Sequence, residues 1–328
     1  MAKSQLHSIL DRSGFSPVTQ ENYANIIDRW IAFAGENPKN WTRVRAQEFY
    51  DWLLQSGASV RTVNGYISSL RYVSKWYAIR EGRPEADFAI VQQRADDHAD
   101  KKRFALSQHE IEQLLISCME PPTTPVDHRD FVMLVVGFET GMRRKSLVGL
   151  QFDRIKPHAR YGYPVVKVPI KGVGGNVEFD VPLSDTAMHA IGTWEAWLRQ
   201  HKYRGQHMLA RLHKRIGKRG ATEWHPGTGA ISMPMINKTF DQRASAAGLG
   251  HLHPHLVRHT FITSREHAGL SAVQIASITG HSLAGAAIDS SGVKLGEMAG
   301  YLDLGVAGRE ARNSTPAWLV DLVHRLLP

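Results

Sequence analysis

The chain has 328 residues, 42% of them hydrophobic, enough to bury a real core, and its length suits two domains better than one. Forty lysines and arginines against 31 aspartates and glutamates leave a formal charge of +9, which draws polyanions to the surface without specifying a fold. The single cysteine, Cys118, excludes an internal disulfide framework, and neither a membrane-spanning apolar run nor the apolar stretch of a signal peptide is present, so a cytoplasmic protein is expected.

Ser16-Pro17 opens the first predicted helix. A serine side chain can take an orphan amide, and proline at the first helical position loses no hydrogen bond. Tyr23, Ile26, Ile27, Trp30 and Ile31 then recur at helical spacing. Phe49, Trp52 and Leu53 mark a second helix ending near Ser56-Gly57. A third runs from about Val60 to Trp76, with Val63, Ile67, Leu70 and Val73 on one side and Arg61, Arg71 and Lys75 elsewhere. From Glu81 to Arg103 charge replaces large apolar groups, and such a stretch organises no core of its own. Residues 1–85 are therefore a helical N-terminal domain, 86–104 a linker and 105–328 a second domain.

The second domain begins with a capping box at Ser107 and Glu110, followed by the stripe Ile111, Leu114 and Leu115. Phe131 to Phe138 is nearly continuous apolar sequence and predicts a buried helix running into Gly141. The pattern then changes: Val165, Val166, Val168 and Ile170, a turn with Gly172, Gly174, Gly175 and Asn176, then Val177, Phe179, Val181 and Leu183. Run, turn and run predict a hairpin, hence a small sheet within a mainly helical domain. A helix is expected from Ser184 to about Leu198, and a basic loop region from His201 to Ala230. Ser271 and Gln274 form another capping box before Ile275 and Ile278. After Thr315-Pro316, the residues Trp318, Leu319, Leu322, Val323, Leu326 and Leu327 make a broad apolar helical face, which either folds back on its own domain or docks into a neighbouring copy.

Two short segments carry the chemistry, TGMRR at Thr140 to Arg144 and HLVRH at His255 to His259. Guanidinium groups stay charged and present paired donors, so Arg143 and Arg258 together are suited to both non-bridging oxygens of a phosphodiester. His255 and Arg258, three apart on a helix, share one side. Lys171 starts the glycine-rich turn, from which an ammonium can protonate a departing sugar oxygen, and His281 offers a further donor after Gly280. His253, His255 and His259 make a poor zinc site, with no cysteine near and a proline turning the chain between them. No carboxylate cluster suggests a metal-dependent nuclease.

At these residues the chain resembles the tyrosine recombinase, or phage integrase, family. TGMRR looks like its first arginine motif, HLVRH its histidine-x-x-arginine box, and TGH at Thr279 to His281 its glycine-histidine motif. FALSQHEIEQLL from Phe104 to Leu115 is similar to the opening of its catalytic domain, and VPL from Val181 to Leu183 to the strand leaving its lysine hairpin. The resemblance implies a mainly α fold with a small β-sheet, in which a helical core-binding domain and a catalytic domain form a clamp around DNA. It implies Arg143 and Arg258 on the scissile phosphate, His255 and His281 assisting, Lys171 as general acid, and a tyrosine attacking phosphorus to give a 3′-phosphotyrosyl bond. Neither ATP, a metal nor another cofactor is implied. The implied partners are double-stranded DNA and further copies of the chain, four on two duplexes, with room for an accessory DNA-bending protein.

The chain departs from the family pattern in three places. The nucleophile of similar members follows the glycine-histidine motif by nine residues, where Ser290 stands here, and the next tyrosine is Tyr301. Tyr301 on a displaced segment is the favoured nucleophile; an inactive DNA-binding or regulatory scaffold, or attack by Ser290, stays open. Ser146 stands where an acid often follows the first arginine, and Lys171 lies ten positions before Val181, a long hairpin that leaves Lys167 as a rival acid.

Overall fold

A computed structural model describes residues 10, 17–35, 41–82, 105–121, 123–169, 178–217, 222–280 and 304–327, which fall into two compact units, 1–102 and 103–328. The first unit contains helices α1 (Pro17–Ala34), α2 (Arg43–Gln55) and α3 (Val60–Glu81). Thr42 and Ser59 cap α2 and α3 by accepting from the amides of Arg45 and Thr62. Trp30, Ile27, Phe49, Leu53, Val63 and Ile67 are buried at the centre, with the Trp30 and Phe49 rings edge to face at 5.3 Å. Helix α3 runs past the expected end at Trp76, because Tyr77 and Ala78 are still buried and no breaker occurs before Gly82, which stops it with φ of 61°.

The second unit is built on α5 (Pro125–Thr140), whose residues from Arg129 onward are all buried, so no polar face interrupts its apolar run. Around it lie α4 (Gln108–Met119), the short α6 (Arg144–Val148), α7 (Asp185–Gln200), α8 (Met233–Ala246), α9 (Pro254–His267), α10 (Ala272–Thr279), α11 (Leu304–Asn313) and α12 (Ala317–Leu326). Both expected capping boxes are present, on α4 and α10. Strands β1 (Ile155–Pro157), β2 (Pro164–Pro169) and β3 (Glu178–Pro182) form one antiparallel sheet in that order. Arg243 of α8 ties the start of α5 down through Asp127 at 2.5 Å and Asp130 at 2.8 Å.

The stretch from His201 to Ala230 is not the expected basic loop. It contains a hairpin of β4 (Ala210–Ile216) and β5 (Thr222–Ala230), anchored where Met208, Leu209 and Ala210 are buried and the Trp194 indole donates to the Met208 carbonyl at 2.7 Å. The consecutive His213, Lys214 and Arg215 break the strand pattern there, while pairing and the buried root supply the order that propensity lacks. Helix α12 packs on its own domain, burying Leu319, Leu322, Val323 and Leu327 in the main core, with His189 of α7 hydrogen-bonded to the Leu327 carbonyl at 2.7 Å. No helix among the described residues is long and apolar enough to cross a membrane.

Candidate functional site

Helices α5 and α10 end in the same way, with threonine then glycine. Thr140 Oγ1 donates back to the Val136 carbonyl at 2.6 Å, and Thr279 Oγ1 to that of Ile275 at 2.7 Å. Gly141 and Gly280 follow with φ of 58° and 62°, a conformation that costs other residues energy. Both are also crowded: a Cβ at Gly141 would sit 2.4 Å from the Phe261 ring, and one at Gly280 2.5 Å from that of Phe179. The turn at Gly141 sets Arg143 in extended backbone just ahead of α6.

The carbonyls of these two helix ends hold the two arginines. Arg258, on α9 and only 2% exposed, donates through Nη1 to the Gly141 oxygen at 2.7 Å and through Nη2 to the Thr279 oxygen at 2.8 Å. Arg143 donates through Nη2 to the Gly280 oxygen at 3.0 Å. A helix C-terminus carries partial negative charge, so it favours a guanidinium there and offsets part of the repulsion between two cations. Arg143 and Arg258 line one narrow cleft with Ser146, Val168, Phe179 and Ile278. Burial, with the charge of Arg143 second, pushes the Arg258 pKa down to about 10, and burial lowers that of Arg143. Both stay protonated near neutrality in surroundings that disfavour their charge, a condition that an arriving anion relieves.

Of the residues singled out in the sequence, Arg143 and Arg258 therefore meet. His255 is solvent-exposed, its ring stacked with that of His253 at 6.3 Å, and it is not part of the cleft wall. His253 caps α9, its Nδ1 accepting from the Leu256 amide at 3.2 Å. Lys171, His281, Ser290 and Tyr301 lie outside the described residues. Lys167 is opposite Asp180 in the β2–β3 ladder, whereas the cleft is lined by the neighbouring pair Val168 and Phe179. Strand side chains alternate, so the exposed Lys167 is turned to the other face of the sheet from the arginines. Among the described residues the cleft wall holds no carboxylate, and no cluster of histidine, cysteine or acidic residues is placed to hold a metal ion.

The groups that fix the arginines are main-chain oxygens, which no side-chain pattern in the sequence reveals directly. Their one visible trace was the repeated Thr-Gly pair, at 140–141 and 279–280. In the first unit, α1 and α3 flank an open groove of about 800 Å³ lined by Asn22, Asn25, Arg29, Arg61, Tyr66 and Ser69, with the Arg29 guanidinium 5.7 Å from the Tyr66 ring centre.

Comparison with known proteins bears on the family and the fold. The Phage integrase family model matches residues 105–286, and that of the phage integrase N-terminal SAM-like domain matches residues 4–82. A tyrosine recombinase XerD of Listeria monocytogenes serotype 4b (strain F2365) is 24% identical over 286 residues, covering 84% of this chain and 88% of the relative. A tyrosine recombinase XerC of Salmonella typhi is 27% identical over 256 residues, covering 76% of each. Among solved structures, the XerH site-specific recombinase bound to a palindromic difH substrate, in a post-cleavage complex, aligns with a TM-score of 0.60 at 16% identity, covering 93% of this chain and 78% of that one. A lambda integrase in a tetramer bound to a Holliday junction aligns at 0.57 and 16%, covering 84% and 72%. At such identity these likenesses speak for the fold alone, whereas the first family model spans more than half of the sequence and includes both arginine segments. The chain belongs to the phage integrase, or tyrosine recombinase, family.

Proposed function

We propose that this protein recombines double-stranded DNA at specific sites, cutting and rejoining strands through a covalent 3′-phosphotyrosyl intermediate, in the integration or excision of mobile DNA. The observation that carries the reading is the shared cleft of Arg143 and Arg258, which come from segments far apart in the chain. In the reaction a tyrosine hydroxyl, Tyr301 in this reading, loses its proton to solvent as its oxygen attacks phosphorus, and the bond to the 5′ oxygen breaks as Lys171 gives that oxygen a proton. Arg143 and Arg258 bind the five-coordinate phosphorus more strongly than the resting diester, because charge grows on its oxygens as the new bond forms. In this reading His281, and His255 from the solvent side of the cleft, add hydrogen bonds to the same phosphate once DNA is bound. Attack by the freed 5′ hydroxyl of another strand reverses each step, so the diester energy is conserved and no ATP, metal or other cofactor enters.

The polar groove between α1 and α3 supports a DNA-binding role for the first unit, and the two units are proposed to close on the duplex as a clamp. The relatives include a lambda integrase whose structure is a tetramer on a Holliday junction. On that likeness four copies of this chain would hold two duplexes, with an accessory bending protein where the site requires one.

A second reading rests on Ser290, which stands nine residues after His281. On that reading the chain is an inactive scaffold that binds DNA and regulates recombination. A nicked suicide substrate carrying the cognate site separates the two. Covalent capture, mapped by peptide sequencing to Tyr301 and abolished by Tyr301→Phe, is the expected result. Capture at Ser290 overturns the choice of nucleophile, and duplex binding without any capture overturns the catalytic reading.

A further inference from the structure

The β4–β5 hairpin has no place in the chemistry just described. Leu212, opposite Pro226, packs on the main core at its root, yet Ile216, on the same face by strand alternation, is 78% exposed. The ribbon therefore leaves the body of the domain beyond Leu212. It is a sheet of two strands, and such a ribbon is marginal in water without a third layer.

The outer half of this ribbon carries one cation on each face, Lys214 on one and Arg215, with Glu223 opposite it, on the other. His213, Lys214 and Arg215 follow one another and all are exposed. Alternation turns Arg215 and His213 to one face, with Glu223 and His225 opposite them, and Lys214 to the other, beside the half-buried Trp224. Glu223 pairs with His225 at 3.4 Å, and among the described residues Lys214 and Arg215 form no ion pair. A flat acidic partner would meet the cations of only one face. A groove walled by phosphates meets both, and the major groove of B-DNA, about 12 Å wide, admits a two-stranded β-ribbon.

We propose that the β4–β5 ribbon is a second DNA-binding element of this unit, inserting into a major groove of the duplex away from the scissile phosphate. Arg215 addresses one phosphate wall and Lys214, with Trp224 beside it, the other. The inference rests on the reading that the chain binds duplex DNA, and its contribution is affinity rather than bond cleavage.

The test is fluorescence anisotropy of the full chain on a labelled 40-base-pair duplex of arbitrary sequence, repeated across a salt series. The variants are Lys214→Glu with Arg215→Glu, and the milder pair Lys214→Ala with Arg215→Ala, each checked for an unchanged melting temperature. Loss of two phosphate contacts should lower the slope of log affinity against log salt by about 2 in the alanine pair, with a larger loss of affinity in the glutamate pair. Wild-type affinity and slope in both variants would overturn the proposal, as would an equal loss on single-stranded DNA of the same length, which has no groove to enter. Absence of duplex binding by the wild type overturns instead the reading on which the proposal rests.

Discussion

Arg258 donates a 2.7 Å hydrogen bond to the carbonyl oxygen of Gly141, a residue 117 positions earlier in the chain. That contact, with its companion to Thr279, makes Arg258 part of the fold as well as of the cleft. Arg143 is only half-buried, has one such bond and faces a like charge. The two should separate on mutation. Arg258→Ala is expected to cost roughly 2–4 kcal/mol of stability, and Arg143→Ala less than about 1 kcal/mol. Both should slow strand cleavage by at least about 100-fold. Denaturant melts and a suicide-substrate assay check this, and equal destabilisation by the two variants would show the anchoring to be misread.

The depressed pKa of Arg258 has a direction that can be followed. The cleft should hold inorganic phosphate below about pH 10 and lose it as pH rises through that value, because Arg258 gives up its proton there. The same shift acts oppositely on folding. The unfolded chain keeps this proton to higher pH, so the contribution of this group to stability increases above about pH 10. Phosphate titration by calorimetry at pH 8 and 10.5, compared with Arg143→Ala, reads the binding limb. Unchanged affinity at the higher pH would count against it.

Gly141→Ala and Gly280→Ala test the two helix ends. Each forces a side chain into the left-handed region, at about 1–2 kcal/mol. At Gly141 the added carbon also meets Cβ and Cγ of Phe261, which cannot swing away, while at Gly280 it meets the outer edge of the Phe179 ring. The loss of melting temperature should therefore be larger at Gly141, and the reverse order in calorimetry would be inconsistent with the packing.

Cys118 is 1% exposed, and its thiol is pushed up to about 12 by burial, with the charges of Asp130 and Asp127 adding and that of Arg243 opposing. Thiolate is the reactive form. At pH 8 the native protein should resist a thiol reagent that labels the urea-unfolded chain within minutes. Rapid stoichiometric labelling of the native protein would contradict this burial.

Truncation after Asn313 removes Leu319, Leu322, Val323 and Leu327 from the main core. Burial of four such side chains is worth roughly 6–12 kcal/mol, comparable with the whole stability of a typical domain. The truncated protein is expected to lose its cooperative melt. A sharp melt at the original temperature would mean that the helix is dispensable for folding and is free to serve another copy.

Much of this was readable in the sequence, and the limit has a physical cause. Capping boxes at Ser107 and Ser271, the continuous apolar run of α5 and the β2–β3 alternation are local patterns, and each formed as expected. The pairing of Arg143 with Arg258 was legible as chemistry, since few arrangements need two arginines beside such motifs. The β4–β5 ribbon was not, because His213, Lys214 and Arg215 give no apolar alternation and the order comes from cross-strand bonds. His255 illustrates a different limit. Its three-residue spacing from Arg258 is right for a common side, yet Arg258 turns inward to the helix ends while His255 remains in solvent.

The acceptors at Gly141, Thr279 and Gly280 belong to peptide units, and this has an evolutionary consequence. No side-chain exchange can remove these three acceptors, and none of them can be protonated away in acid. Dipoles steady the two cations without cancelling a unit of charge, as an aspartate at position 146 would. An entering anion meets dipoles that do not compete for its charge, and at position 146 it meets a neutral serine in the cleft wall instead of an acid.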